Sequence, residues 1–460
     1  VNDFEATRVR PIRYRLASRV RLLVGISGTL ALIMLGSSGS ALGAATSPAA
    51  SGSQPFVVIL KGDLTATQVL QDARTDGASP RRTYNYALSG YSADLTSDAR
   101  NRAAADPNVA MVVPDHLFKL APALGGGHPG GNGAVGNNHQ PAGLPVVDYS
   151  QFIPTALERI FLQDSVLAGV NGGGPEVNAG IAIVDSGITP NPDLRIAGGV
   201  DCSDDTTPDL NDVYGHGTEV AGVAAAIDNS FGVVGTAPGA RLYDVKIGDS
   251  DGNIYLSNAL CGLDWVIAHR SEINVVNMSF EDTGDVTNDN DCGLKSHDPF
   301  HTAICQAYAD GITLVAGSGN DGTQITQDEV PQAYPEVITV GGYLDSDGVP
   351  GGRGAACGDG YGFPDDMWAP FADFGPQVAL MAVADCNQVI ANDGTIEWDA
   401  GTSFSGPAVA GAAADLAAHF PFLRPATIKA YLVQTATHQN LGSDPYGYGL
   451  LDMASYGWLR

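Results

Sequence analysis

Beyond about residue 150 the chain alternates short apolar runs with longer Ala-rich stretches, and this rhythm limits the fold more than any other feature. Residues 181–184, 241–246 and 275–278 have strand length, while 218–227 and 256–270 have helix length. Strands that are apolar throughout are buried on both faces, as in a parallel sheet whose crossover helices cover it. The fold class expected is α/β, a three-layer α/β/α arrangement with a mainly parallel sheet. No internal repeat interrupts it.

Three segments precede this region. Arg8, Arg10, Arg13, Arg15, Arg19 and Arg21 stand ahead of an apolar run over 22–35, after which Gly, Ser and Ala take over. This outlines a secretory signal peptide over residues 1–45, with cleavage around Ala44 or Ala45. Read instead as a membrane anchor, a helix over the run rises only about 21 Å against the roughly 30 Å of a bilayer core. Residues 55–118 then make a small α+β unit: a strand at 56–60, a polar Ala-rich helix, alternating strands around Tyr84–Tyr86 and 91–93, a helix from a capping Ser97 to Ala105, and a strand at 109–113. Residues 119–149, crowded with Gly, Asn, His and Pro, read as a flexible, cleavable linker. The region from 150 to 460 is the principal domain.

Charge and cysteines narrow the function. Of the 51 acidic residues 41 lie beyond residue 149, against 10 of the 23 basic ones, which argues against a nucleic-acid partner. All six cysteines, Cys202, Cys261, Cys292, Cys305, Cys357 and Cys386, fall there too. An even count behind an export signal points to three disulfides, and no pair has zinc-ligand spacing.

Four short motifs carry candidate chemistry. Asp185 ends the strand of Ile181-Ala-Ile-Val-Asp185-Ser-Gly187, at the sheet edge where ligands bind in open α/β folds. His216 stands between two glycines in Tyr214-Gly-His216-Gly-Thr218, ahead of an apolar helix. Ser403, in Asp399-Ala-Gly401-Thr-Ser403, precedes the helical run 408–419, where backbone N–H groups and the helix dipole favour developing negative charge. Asn320 closes a Gly-rich turn after the apolar residues 314–316. Singly, each has a structural reading: a strand-end turn, a core histidine, a helix cap, a turn asparagine.

Together, Asp, His and Ser in this chain order, with Asn between His and Ser, resemble the subtilase family of serine proteases. Val234-Gly-Thr-Ala-Pro-Gly-Ala240, Asn277-Met-Ser279, Val337-Ile-Thr-Val-Gly341 and Gly447-Tyr-Gly449 follow in family order, so the likeness covers about residues 150–455. The unit at 55–118 resembles the family's propeptide, which assists folding and inhibits. The resemblance implies a subtilisin-like fold and a secreted, extracellular, self-processing serine endopeptidase acting on protein or peptide substrates. It makes Ser403 the nucleophile, His216 the general base and then acid, Asp185 the group that orients the imidazole, and Asn320 with the Ser403 N–H the oxyanion hole. Substrate would add as an antiparallel strand between Gly252-Asn253-Ile254 and Ser279-Phe280-Glu281, with Gly317-Ser318-Gly319 walling a roomy specificity pocket.

The resemblance also implies the pairs Cys202–Cys261, Cys292–Cys305 and Cys357–Cys386, a monomer, and contact with a membrane only during export. Its chemistry needs no cofactor; structural calcium is left open with no ligands assigned. Asp249-Ser-Asp251-Gly-Asn253 looks like the start of a calcium loop but lacks the acid at the twelfth place, which is Leu260, and reads better as a substrate-edge loop.

The chain departs from the family at several points. Phe404-Ser405 and Pro407-Ala408 replace its usual Met-Ala and Pro-His, Glu219 replaces a frequent second His, and residues 382–386 lack the usual Ala-Pro-Gly. Phe280-Glu281 stands in place of Leu-Gly, and Glu281 is expected to disfavour acidic residues next to the scissile bond. An inactive peptide-binding or scaffold relative would lack one of the four polar residues, and the acid-acting sedolisin group would carry Glu in place of His216.

Overall fold

The computed structural model describes residues 52–120, 150–173, 176–203, 209–283, 291–357, 362–438, 446 and 448–459. The signal reading at 1–45 and the linker reading from 121 to 149 fall outside them.

The N-terminal unit runs β1 (Gln54–Leu60), α1 (Ala66–Asp76), β2 (Pro80–Tyr84), β3 (Gly90–Leu95), α2 (Ser97–Ala105), β4 (Val109–Pro114) and β5 (Leu117–Leu120). Its sheet is antiparallel in the order β2-β3-β1-β4. Alternation along β1 explains its unbroken apolar run: Phe56, Val58 and Leu60 face the unit's own helices, while Val57 and Ile59 join the core of the principal domain. Two local expectations are corrected. Tyr84–Tyr86 is not a strand, because β2 ends at Tyr84 and the N–H groups of Asn85, Tyr86 and Ala87 all donate to one Asp264 oxygen at 2.6–2.9 Å. Thr96 rather than Ser97 caps α2, its hydroxyl accepting from the Ala99 N–H. The expected boundary at 118 also falls inside β5.

The principal domain opens with α3 (Thr155–Arg159), β6 (Gly180–Asp185), β7 (Ile196–Asp201), α4 (His216–Ala225), β8 (Arg241–Lys246) and β9 (Asn253–Tyr255). It continues with α5 (Leu256–Ala268), β10 (Val275–Met278), β11 (Phe280–Thr283), α6 (Pro299–Ala309), β12 (Thr313–Gly317), β13 (Glu329–Val330) and β14 (Val337–Leu344). The last elements are β15 (Met367–Trp368), β16 (Val378–Val383), β17 (Asn387–Ile390), β18 (Ile396–Asp399), α7 (Thr402–His419) and α8 (Pro425–Thr435). The main sheet runs β15-β14-β12-β10-β6-β8-β7, with β16 also beside β14, and every pair is parallel except β14–β15. Ile181 and Ile183 of β6 pack with α4, α7 and α8 on one face, while Ala182 and Val184 pack with α5 and α6 on the other. The domain is therefore the three-layer α/β/α sandwich with a mainly parallel sheet.

Helix α7 runs down the middle of one layer, buried all round from Thr402 to Leu416. It passes straight through Pro407, which has no N–H to offer the carbonyl four residues back, that of Ser403. The Ser279 hydroxyl takes that carbonyl instead, at 3.2 Å, and itself accepts from Asn277 Nδ2 at 3.0 Å. Three disulfides, Cys202–Cys261, Cys292–Cys305 and Cys357–Cys386, hold loops around this frame, the pairing the resemblance implied. Among the described residues no helix is long and apolar enough to cross a membrane.

Candidate active site

Asp185 ends the central strand β6, and His216 is the first residue of α4, so both meet at the carboxyl edge of the parallel sheet. His216 Nδ1 lies 2.8 Å from Asp185 Oδ1. The two flanking glycines serve different needs. Gly215 takes φ 106°, which a side chain would strain, and Gly217 packs so close that a Cβ there would stand 3.1 Å from the Asp185 Cβ and collide with the Gly187 carbonyl. Gly215 offers α4 no side-chain cap; Asp212 serves instead, accepting from the N–H groups of Gly215 and Thr218 at 2.7 and 2.8 Å and from the Ser186 hydroxyl at 2.8 Å.

Burial pushes the His216 imidazole down, but the Asp185 carboxylate, with Asp212 and Asp399 beyond it, outweighs burial and holds the ring above its ordinary value. Glu219, where relatives often have a second His, lies within the same turn and is pushed well up by burial and by Asp399 and Asp212.

Ser403 is the second residue of α7 and fully buried. Among the described residues neither its Oγ nor His216 Nε2 has a hydrogen-bond partner, and the His216 and Phe404 rings lie 6.4 Å apart. Asn320 follows β12. Its Oδ1 accepts from the Thr402 N–H at 2.9 Å and the Thr402 hydroxyl at 3.1 Å, which leaves Nδ2 as the donor side. A point one Cβ bond from Gly401 lies 3.5 Å from Asn320 Nδ2, 3.7 Å from its Oδ1 and 3.8 Å from Ser403 N, so the Asn320 amide stands beside the first turn of α7. The unusual loop behind the serine is tied down: Gly401 N–H donates to the Ala384 carbonyl at 2.7 Å, and Ser405, the departure next to Phe404, donates to the Ala382 carbonyl at 3.1 Å.

The cleft holds a segment of the chain itself. β5 runs antiparallel between β9 and β11, with Phe118 opposite Ile254, Lys119 opposite Asn253 and Glu281, and Leu120 opposite Phe280. Phe118 and Leu120 are buried in the core of the principal domain while Leu117 and Lys119 are exposed, the alternation of a strand with one face covered. The Phe118 ring meets Phe300 at 5.3 Å and Phe280 at 5.9 Å, both edge-on. Behind β5 the N-terminal unit is pinned to α5 and to the residues after β7: Tyr84 OH donates to the Ser257 carbonyl at 3.1 Å, and Arg82 Nη2 to the carbonyls of Cys202 and Ser203 at 2.7 and 2.8 Å.

Asp249 accepts from the N–H groups of Asp251 and Asn253 at 2.9 and 2.8 Å, making the turn that starts β9. The Asp345, Asp347 and Asp365 carboxylates also lie close together and are held by the protein itself. Asp345 binds the Gly348 N–H and pairs with Arg159, and both Asp365 oxygens accept backbone N–H groups.

Sequence reasoning missed Asp212, Thr402 and the β5 residues Phe118 and Leu120. Asp212, four residues ahead of His216, was findable as a turn acid. The others act through partners far along the chain.

Comparison with known proteins places the chain in a family. The model of the subtilase family matches residues 178–449, and that of peptidase inhibitor I9 matches residues 56–121. Subtilisin E of Bacillus subtilis is 28% identical over 380 residues, 82% of this chain and 82% of that protein. A thermostable alkaline protease of Halalkalibacterium halodurans is 32% identical over 307 residues, 66% of this chain and 73% of that protein. The minor extracellular protease Epr of Bacillus subtilis is 40% identical over 184 residues, 40% of this chain and 26% of that protein. The fold, the site and these matches define a serine protease with its own inhibitory propeptide. The chain belongs to the subtilase family.

Proposed function

We propose that the chain is the exported precursor of a serine endopeptidase that cleaves peptide bonds through an acyl-enzyme on Ser403. The observation that carries this reading is the Asp185–His216 hydrogen bond beside an unpartnered Ser403 Oγ, with a chain segment already seated as a strand in the adjoining cleft.

His216 Nε2 removes the Ser403 proton as Oγ attacks the substrate carbonyl, and Asp185 holds the ring in the tautomer that can do so and stabilises the imidazolium that forms. Asn320 Nδ2 and the Ser403 N–H hold the tetrahedral oxyanion at the N-terminus of α7, where the helix dipole adds to them. The imidazolium then protonates the leaving amine, and water, activated by the same His216, releases the acid product. Nucleophile, base and electrophile all come from the chain, so the chemistry calls for no cofactor.

The N-terminal unit acts as the inhibitor until processing frees its tail, and the mature domain works as an extracellular monomer. Export and cleavage within 119–149 complete the maturation. The test is to follow the intact mass and casein cleavage of the full precursor beside its Ser403→Ala variant. Only the wild type is expected to shorten to a start within 119–150 and digest casein. A folded, mature wild type that leaves casein untouched would favour a non-catalytic peptide-binding relative.

A further inference from the structure

The docked strand β5 shows where a substrate runs, and its register shows which side chain meets what. Leu120 stands opposite Phe280, so the next residue of a substrate strand stands opposite Ser279, whose hydroxyl touches the Ser403 carbonyl. That residue presents the carbonyl that is attacked. Alternate residues of a strand share a face, so its side chain projects with that of Lys119 and lies diagonal to Glu281, within reach of a long side chain.

Glu281 spans the pocket there. It starts from β11, one wall, yet its Oε2 lies 2.8 Å from where a Cβ on Gly319 would stand, on the facing wall. An Asp373 carboxylate oxygen stands closer still to the same point. Asp373 is fixed in place, its N–H donating to the Gly319 carbonyl at 3.1 Å and its other oxygen accepting from the Thr323 N–H at 2.7 Å. Two carboxylates thus converge between residues 279–281 and 317–319. Among the described residues neither forms an ion pair with Lys, Arg or His.

We propose that Glu281 and Asp373 make this a protease for basic sites, receiving the ammonium of Lys or the guanidinium of Arg in the residue whose carbonyl Ser403 attacks. The inference rests on the serine protease reading above and adds the substrate class. Burial and the nearby charges of Asp373, Asp321 and Glu329 push Glu281 up to about 8, the mark of a carboxyl without a countercharge. A cation between the two acids supplies that charge, in a site partly shielded from water where charge-assisted hydrogen bonds are strong. An apolar side chain leaves the two carboxyls facing each other with no cation between them, and an acidic one adds a third acid. The facing wall is built of the small residues Gly317, Ser318 and Gly319, and the two carboxyls occupy the space that a side chain on Gly319 would take.

The test uses the mature enzyme released from the full precursor and peptides that repeat the docked Phe-Lys-Leu and end in Arg, Lys, Leu, Phe or Glu before a chromogenic amine. The expected kcat/KM for Arg and Lys exceeds that for Leu at least tenfold, with Glu slowest. In Glu281→Gln that Arg-to-Leu ratio falls at least tenfold, and Glu281→Asp restores part of it. Equal or faster cleavage after Leu or Phe in the wild type overturns the inference, as does an unchanged ratio in Glu281→Gln. Failure of the protease reading looks different: no peptide is cleaved and a fluorophosphonate does not label Ser403.

Discussion

Phe118 should be the residue by which the propeptide tail grips the cleft, and its loss can be given a size. The ring is fully buried and edge-on to Phe280 and Phe300. Returning a buried Phe to water costs about 1.5–3 kcal/mol, and each aromatic pair adds about 0.5–1.5 kcal/mol. Phe118→Ala therefore should weaken the propeptide's hold on the peptidase domain by about 3–5 kcal/mol, or roughly a hundred- to several-thousandfold in Kd. Leu117, one residue earlier on the same strand but 38% exposed, supplies the comparison, and Leu117→Ala should cost less than about 1 kcal/mol. Calorimetric titration of propeptide variants into the Ser403→Ala peptidase domain measures both without autolysis. A Phe118→Ala affinity within threefold of the wild type would refute the reasoning, because the pocket would then not be where the tail is held.

Three other outcomes follow from the site and the core. His216 must be neutral to act as base, so a ring held above its ordinary 6.5 puts the acid limb of the kcat/KM profile above pH 6.5. Asp399→Asn should move that limb to lower pH, and a midpoint at or below 6.5 in the wild type would contradict the assignment. Asn320→Leu should lower kcat about a hundred- to a thousandfold with KM little changed, the size seen for the matching asparagine of a subtilisin relative; steady-state kinetics checks it. Asp415, fully buried in α7 with neither oxygen partnered among the described residues, is pushed well up by burial alone. A raised carboxyl destabilises increasingly as pH climbs above its unfolded value, so Asp415→Leu should stabilise by about 1–3 kcal/mol, more at pH 8 than at pH 5 in thermal melts of the Ser403→Ala protein.

How far the chain could be read in advance depended on the range of the forces involved. β6 and β10 stood out because parallel strands are buried on both faces and write themselves as largely apolar runs, whereas β8 carries Arg241, Asp244 and Lys246 among its six residues. Helix α7 was legible only from residue 408, since Gly406 and Pro407 look like a break; the helix survives them because Ser279, distant in sequence, takes the carbonyl that Pro407 releases. Four residues of β5 carry too little pattern to declare a strand, and the pairing that makes them one comes from β9 and β11, both far along the chain. The four polar residues of the site were visible because each sits in a local motif that strand ends and glycines enforce. The approach of Asp373 to Glu281 was not, since nothing near either residue announces the other.

The central claim, that Ser403 is a nucleophile activated by His216, is tested most directly by labelling the mature domain with a fluorophosphonate and mapping the adduct by peptide mass. The account predicts a single adduct on Ser403, formed rapidly in the wild type, slowed by several orders of magnitude in His216→Ala, and absent in Ser403→Ala. A folded wild-type domain that takes no label, takes it on another residue, or labels equally fast without His216 would contradict it.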